Sequence, residues 1–413
     1  MAMAHLDRQR ASELMFEASI DGLILFSPES FIYATGASSG VATMWRRTGA
    51  VAVLVPAAPN IPETAIVSDL FAQNFKKASH IKDVRESPIW VETTDLNGLD
   101  LSQDPEEIIA SAWQEAGRAH KFARPTTFDP LVCYQHLADA LSERGLEDAK
   151  IGFEASAVSV IDFPALKHTL GDVELIDASE VLAKLKMVKS TCEIKNLRKA
   201  VEIAESGIRA VQGAIAPAVT RQQLADTWNT AINRHPDYAA LSGAWEYISV
   251  GRDPWSGNAS AKVGDLIKID VGCLVNEYTS DTGRTYVLGS PEDLHARIHD
   301  ALMKGFIAGS ALLAPGTALS EVHFVTQEAI RAAGFSDYTR GHFGHGLGAG
   351  LGSEEWPFIS ADATTLLEPG MVMAFECPWY ITGVGGLIIE NQVLITETGH
   401  EMMNSLPLDL IEI

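Results

Sequence analysis

Apolar runs of strand length alternate with stretches of helical periodicity through the first half of the chain. GLILF (Gly22–Phe26), AVAVLV (Ala50–Val55) and TAIVS (Thr64–Ser68) read as buried strands. RQRASELMFEAS and DPLVCYQHLADALSERG carry helical spacing, the second ending at Gly145. IGFE (Ile151–Glu154) and VELID (Val173–Asp177) continue the alternation. The pattern predicts a compact α/β domain over residues 1–178, with a mixed or parallel sheet. No catalytic constellation stands out in it.

A boundary near Ala178 opens a second domain, residues 179–413. KSTCEIKNLRKAVEIAESGIRAVQ begins with Ser190 and Glu193 in capping-box spacing. Ile194, Leu197, Val201, Ala204, Ile208 and Val211 then mark one helical face. A second helix starts at Thr220, with Gln223 in the same relation, and runs to about Asn233. Strand hairpins separated by two more helices follow, one opened by Ser290-Pro291 and the other closed by Gly334. The order helix, helix, hairpin, twice over, points to two similar structural halves without a sequence repeat.

Composition narrows the classes. A chain of 413 residues exceeds the usual size of one core, which agrees with two domains. The formal charge of −23 repels phosphate backbones and anionic lipid, which argues against nucleic-acid or membrane partners. No apolar run approaches the roughly 20 residues a membrane span needs, and MAMAHLDRQR lacks a signal-peptide core. Cys133, Cys192, Cys273 and Cys377 form no CxxC pair, so neither a disulfide framework nor a thiolate zinc site is expected. These features predict a cytoplasmic protein.

The chemistry lies in the C-terminal half. DLIKIDVGCLVNEYTSDTGRTYVLG, Asp265 to Gly289, places two β-rich runs around the polar tip Asn276-Glu277, a hairpin signal. Asp270 interrupts the first run and Asp281 opens the second. Burying an ionised carboxylate costs several kcal/mol unless something compensates. A divalent cation would do so for both; an ion pair with a nearby base such as Arg284 is the alternative. MVMAFECPWYITGVGGLIIENQVLITETG repeats the arrangement with Glu376 and Glu390, its turn expected from Pro378, Gly383, Gly385 and Gly386. Two hairpins with two inward acids each favour hard cations over chance ion pairs. His345 sits in RGHFGHGLGAGLGSEEW, where glycines let backbone approach a site closely. That stretch matches neither GxGxxG nor GxxxxGK[ST], so it is not read as a phosphate loop.

Together IDVG…SDTGRT, GHGLG, FECP and IIEN resemble the creatinase/prolidase/aminopeptidase P superfamily, the pita-bread metallopeptidases of family M24. DGLILFSPESFIYATGA resembles its N-terminal domain and KLKMVKSTCEIKNLRKA its linker, so the likeness covers nearly the whole chain. It implies a creatinase-like α/β N-terminal domain and a pita-bread α+β catalytic domain. It further implies that Asp270 chelates one metal, Asp281 and Glu390 bridge two, and His345 and Glu376 complete the second site. All five positions are intact, unlike in metal-free creatinase.

The chain also departs from the family pattern. The histidine seven positions after the ligand histidine is Gly352, and the segment GRDPWSGNAS holds no histidine. The frequent Arg two places before the last Glu is Ile388. His342 and Glu354 are the candidates to stand in for the missing groups, or else serve as packing and surface residues. Trp255 is a candidate pocket wall.

The implied chemistry is hydrolysis by a metal-bridging hydroxide, with Glu376 handling the proton and His345 and His342 beside it. The oxygen-rich donor set with one imidazole suits Mn²⁺, Fe²⁺ or Co²⁺, with zinc an alternative. The resemblance implies a short peptide substrate with proline in second place, and a homodimer. Two other readings stay open. One is a hydrolase or lyase for a small non-peptide metabolite, similar to dimethylsulfoniopropionate lyase or ectoine hydrolase. The other is a non-catalytic binding protein on the same fold.

Overall fold

The computed structural model describes residues 6–350 and 354–413. The chain divides into two compact units, the first ending at Leu185 and the second beginning at Lys186.

The first unit is built on six strands: β1 (Gly22–Leu25), β2 (Ala52–Pro56), β3 (Thr64–Ser68), β4 (Asp83–Ser87), β5 (Lys150–Phe153) and β6 (Glu174–Asp177). Their order is β4-β3-β2-β1-β5-β6. β1 and β2 pair antiparallel, as do β2 and β3, while the outer pairings are parallel. Leu23, Leu25, Val53 and Val55 enter one core and Ile24, Ala52, Leu54 and Ile66 another. Burial on both faces explains why these strands read as unbroken apolar runs. The helix Ser179–Met187 adds Leu182 and Leu185 to the first of those cores. That packing carries the unit on to Leu185, past the boundary expected at Ala178.

The second unit opens with the helices Thr191–Ala214 and Arg221–Ile232, each started by a complete capping box, Ser190 with Glu193 and Thr220 with Gln223. Five strands follow: β7 (Leu241–Glu246), β8 (Ser249–Val250), β9 (Leu266–Val275), β10 (Tyr278–Thr279) and β11 (Thr282–Val287). Helices Asp293–Ser310 and Leu319–Ala332 then lead to β12 (His342–Gly346), β13 (Glu355–Ser360), β14 (Val372–Ile381), β15 (Gly385–Ile395) and β16 (His400–Met402), and β17 (Ile411–Glu412) ends the chain. One sheet runs β10-β9-β11-β17 with β7 and β8 also on β9; the other runs β13-β12-β14-β15-β16. Two helices followed by a sheet thus occur twice, as the element order predicts.

Asn276 and Glu277, both left-handed (φ 49° and 70°), form the tight connection from β9 to β10. Two local expectations are corrected. The helix expected to open at Ser290-Pro291 starts at Asp293 with Glu292 as its cap, because Ser290 hydrogen-bonds Glu412 instead. Pro378 lies inside β14 opposite Ile388, and Gly385 and Gly386 lie inside β15, so the turn spans only 382–384. Pro378 is tolerated there because the β12 pairing of β14 ends at Phe375, and its missing N–H breaks no ladder bond on that side.

Candidate metal centre

Strand periodicity places the site. In β9, Ile267, Ile269 and Val271 enter the core under the Thr191–Ala214 helix, so Lys268 and Asp270 share the opposite face. Asp270 is paired in register with Gly283 of β11. A Cβ at Gly283 would lie 2.8 Å from Glu390 Oε2, so glycine leaves room for the acid arriving from β15. Glu390 is in turn paired with Glu376 of β14. His345, on β12, pairs with Ala374 of the same β14.

Asp281, His345 and Glu390 converge, with one donor atom from each within 4.8 Å of the others. All three are buried, at 4%, 2% and 2% exposure, where an ionised side chain needs a partner. Yet Asp281 Oδ1 and Glu390 Oε2 have none among the described residues. His345 Nδ1 is 3.0 Å from the Gly346 carbonyl, which can only accept. The Nδ1 proton is thereby fixed, and the Nε2 lone pair is presented 3.6 Å from Asp281 Oδ2. Two acceptors facing each other at that distance fit a shared cation.

Charge states agree. Burial first, then the charges of Asp270, Glu376 and Glu354, push the Asp281 carboxyl well above the usual range. Burial followed by Asp281, Asp270 and Glu376 does the same to Glu390. Glu376 is raised by burial, with Asp270 and Glu354 adding and Arg340 and His345 opposing. Four carboxylates crowd one buried space. The donor set fits divalent ions.

The remaining two expected ligands adjoin the cluster, each tied to a base. Asp270 Oδ2 accepts from Lys268 Nζ at 2.9 Å, and Glu376 Oε1 accepts from Arg340 Nη2 at 2.6 Å. Arg284, the alternative partner considered for the aspartates, bonds neither of them. Its buried guanidinium donates to the carbonyls of Gly283, Glu390 and Leu406 and to Asn391 Oδ1, holding the strand that carries Glu390.

His342 lies 6.2 Å from the His345 ring and 5.4 Å from the Phe358 ring, with Nδ1 buried and without a hydrogen-bond partner among the described residues. Burial and then Arg340 lower its pKa, so the imidazole is neutral at pH 7. Glu354 is exposed, but its charge reaches Asp281, Glu376 and His342. Trp255 is 61% exposed and lies over Tyr380, ring centroids 5.3 Å apart. Gly352 lies outside the described residues.

Sequence reasoning missed Lys268, Arg340, Tyr247 and Tyr380. Lys268 had a signal, two positions from Asp270 in an apolar strand and therefore on its face. Tyr380 likewise lies four positions past Glu376 in β14. Arg340 and Tyr247 come from loops, where no periodicity marks them.

Comparison with known proteins agrees with this geometry. Residues 195–397 match the profile of metallopeptidase family M24, and residues 8–188 match that of the creatinase/prolidase N-terminal domain. The Bacillus subtilis uncharacterized peptidase YqhT is 31% identical over 285 residues, covering 67% of this chain and 78% of the relative. The Xaa-Pro dipeptidase of Pyrococcus furiosus is 30% identical over 270 residues, covering 63% and 75%. The solved Xaa-Pro dipeptidase from Bacillus anthracis superposes with a TM-score of 0.76 at 22% identity, covering 98% of this chain and 99% of that one. The chain belongs to metallopeptidase family M24. It is a metal-dependent peptidase with a creatinase-type N-terminal domain.

Proposed function

We propose that this protein cleaves short peptides with proline in second position, dipeptides above all, using two divalent ions held by Asp270, Asp281, His345, Glu376 and Glu390. The observation that carries the proposal is the convergence of Asp281, His345 and Glu390, with buried oxygens that have no partner among the described residues. The Xaa-Pro specificity of named relatives supports the substrate class.

When bound, the ions supply an activated water and polarise the scissile carbonyl. The chain's own groups do the rest. Arg340 holds Glu376 Oε1, which orients this carboxylate to take the proton of the attacking water and pass it to the leaving nitrogen. His342 presents a neutral imidazole to the substrate. Tyr380 accepts from Lys268 at its hydroxyl oxygen, 3.0 Å away, which leaves its own proton free to donate to a substrate oxygen. Trp255, Tyr380 and Tyr247 line up through ring contacts of 5.3 and 6.0 Å, an apolar wall suited to a proline ring.

The oxygen-rich donors with one imidazole favour Mn²⁺, with Fe²⁺, Co²⁺ or Zn²⁺ as alternatives. A cytoplasmic location is supported by four free cysteines, and a homodimer by the family likeness. The absence of histidine in GRDPWSGNAS favours one second reading, a small non-peptide amide or lyase substrate. Assaying metal-loaded protein on Xaa-Pro dipeptides and on small amides separates the two. Turnover of the amides alone would replace the peptide assignment.

A further inference from the structure

We propose that Lys268 is a built-in counter-ion of the carboxylate cluster and sets how tightly the second divalent ion is held at Asp270. The inference rests on the metal-site reading above.

Lys268 sits in the middle of the apolar run Leu266–Ile269 with its side chain 0% exposed. A buried ammonium persists only when paired and hydrogen-bonded. Its Nζ donates to Asp270 Oδ2 at 2.9 Å and to the Tyr380 hydroxyl at 3.0 Å. It also lies 3.8 Å from the centroid of the Tyr247 ring and 4.9 Å from that of Tyr380. The ammonium is therefore held in place from several sides.

Two consequences follow. One of the two Asp270 oxygens already accepts from an ammonium, which makes it the poorer donor to a cation. With metal bound and all four acids ionised, the buried carboxylates Asp270, Asp281, Glu376 and Glu390 face the bases Lys268 and Arg340, a net −2 apart from the exposed Glu354. One divalent ion neutralises that. A second arrives where only the exposed Glu354 still adds negative charge and an ammonium sits on its Asp270 ligand, so repulsion weakens it. Removing the charge of Lys268 restores the excess and tightens the second ion.

The test is calorimetric titration of Mn²⁺ into chelator-stripped full-length protein, as wild type, Lys268→Gln, Lys268→Met and Lys268→Arg. Electron paramagnetic resonance at one equivalent reports whether ions sit singly or as coupled pairs. The expected result for wild type is one tight ion, seen as isolated Mn²⁺, and a weaker second. In both neutral variants the second ion tightens by about tenfold or more, and coupled pairs appear at one equivalent. Lys268→Arg stays like wild type. A second ion that binds no tighter in folded Lys268→Gln and Lys268→Met overturns the proposal, as does failure of both to fold, which would make Lys268 a structural ion only. Wild type that binds no metal at all would instead defeat the metal-site reading itself.

Discussion

Glu376 and Glu390 stand directly opposite each other across the β14–β15 pair. Like charges in that relation destabilise a sheet, and here Glu390 is buried with one oxygen lacking a partner among the described residues. The arrangement is stable when positive charge lies between the strands.

Removing metal should therefore cost stability. Chelation is expected to lower the melting temperature of wild type by roughly 5–10 °C, given ions at about a hundred times Kd. Asp281→Asn removes one repelling charge and should lose less. Calorimetry with and without chelator decides this; equal losses would contradict a shared-ion role for Asp281.

Arg284 gives a second prediction. Its guanidinium satisfies three backbone carbonyls and Asn391 in a dry environment. Arg284→Met leaves those acceptors without partners, at a cost of about 3–5 kcal/mol. Urea unfolding of metal-loaded protein measures it. A change under ~1 kcal/mol, the typical net worth of one hydrogen bond, would show that the acceptors find other donors.

Glu193 predicts a pH effect away from the metal site. Burial raises its carboxyl to about 7, with Lys189 and the hydrogen bonds from Ser190 opposing. The folded pKa lies above the unfolded value of 4.5. Its contribution is thus full below the unfolded pKa and is lost as pH rises through 7. The loss is on the order of 3 kcal/mol. Glu193→Gln keeps the capping geometry and should flatten stability between pH 5 and 8. An unchanged slope would place the ionisation elsewhere.

His342 and Trp255 should divide catalysis from binding. His342→Ala is expected to lower kcat by about 10²-fold or more, as for a positioned acid–base group. Trp255→Ala should chiefly raise KM. Both should keep wild-type metal content. The reverse split in steady-state kinetics would exchange their roles.

Much of this was legible in sequence because acids in apolar strands are conspicuous. Asp270, Asp281, Glu376 and Glu390 interrupt runs whose neighbours are buried, and the capping boxes at Ser190 and Thr220 fixed two helix starts. Register was less visible. Nothing local shows that Gly283, paired with Asp270 in the hairpin, clears space for Glu390, which lies far along the chain on β15. The bases were obscured for a similar reason. Lys268 lies two positions from Asp270, but sequence does not show that their face of β9 is buried, and Arg340 reaches Glu376 from a loop. The turn lies at 382–384 and not at Pro378, because past Phe375 the β12 side of β14 is unpaired and tolerates a proline that in sequence reads as a breaker.

The decisive measurement is kcat/KM on a panel of Xaa-Pro dipeptides and matched dipeptides without proline, taken before chelation, after chelation and after Mn²⁺ is restored. The account predicts cleavage confined to peptides with proline second, lost on chelation and recovered with Mn²⁺. Its efficiency should lie at or below about 10⁴ M⁻¹s⁻¹, because no histidine occupies GRDPWSGNAS. Negligible turnover across the panel by protein that carries its metal would contradict the peptidase assignment made here.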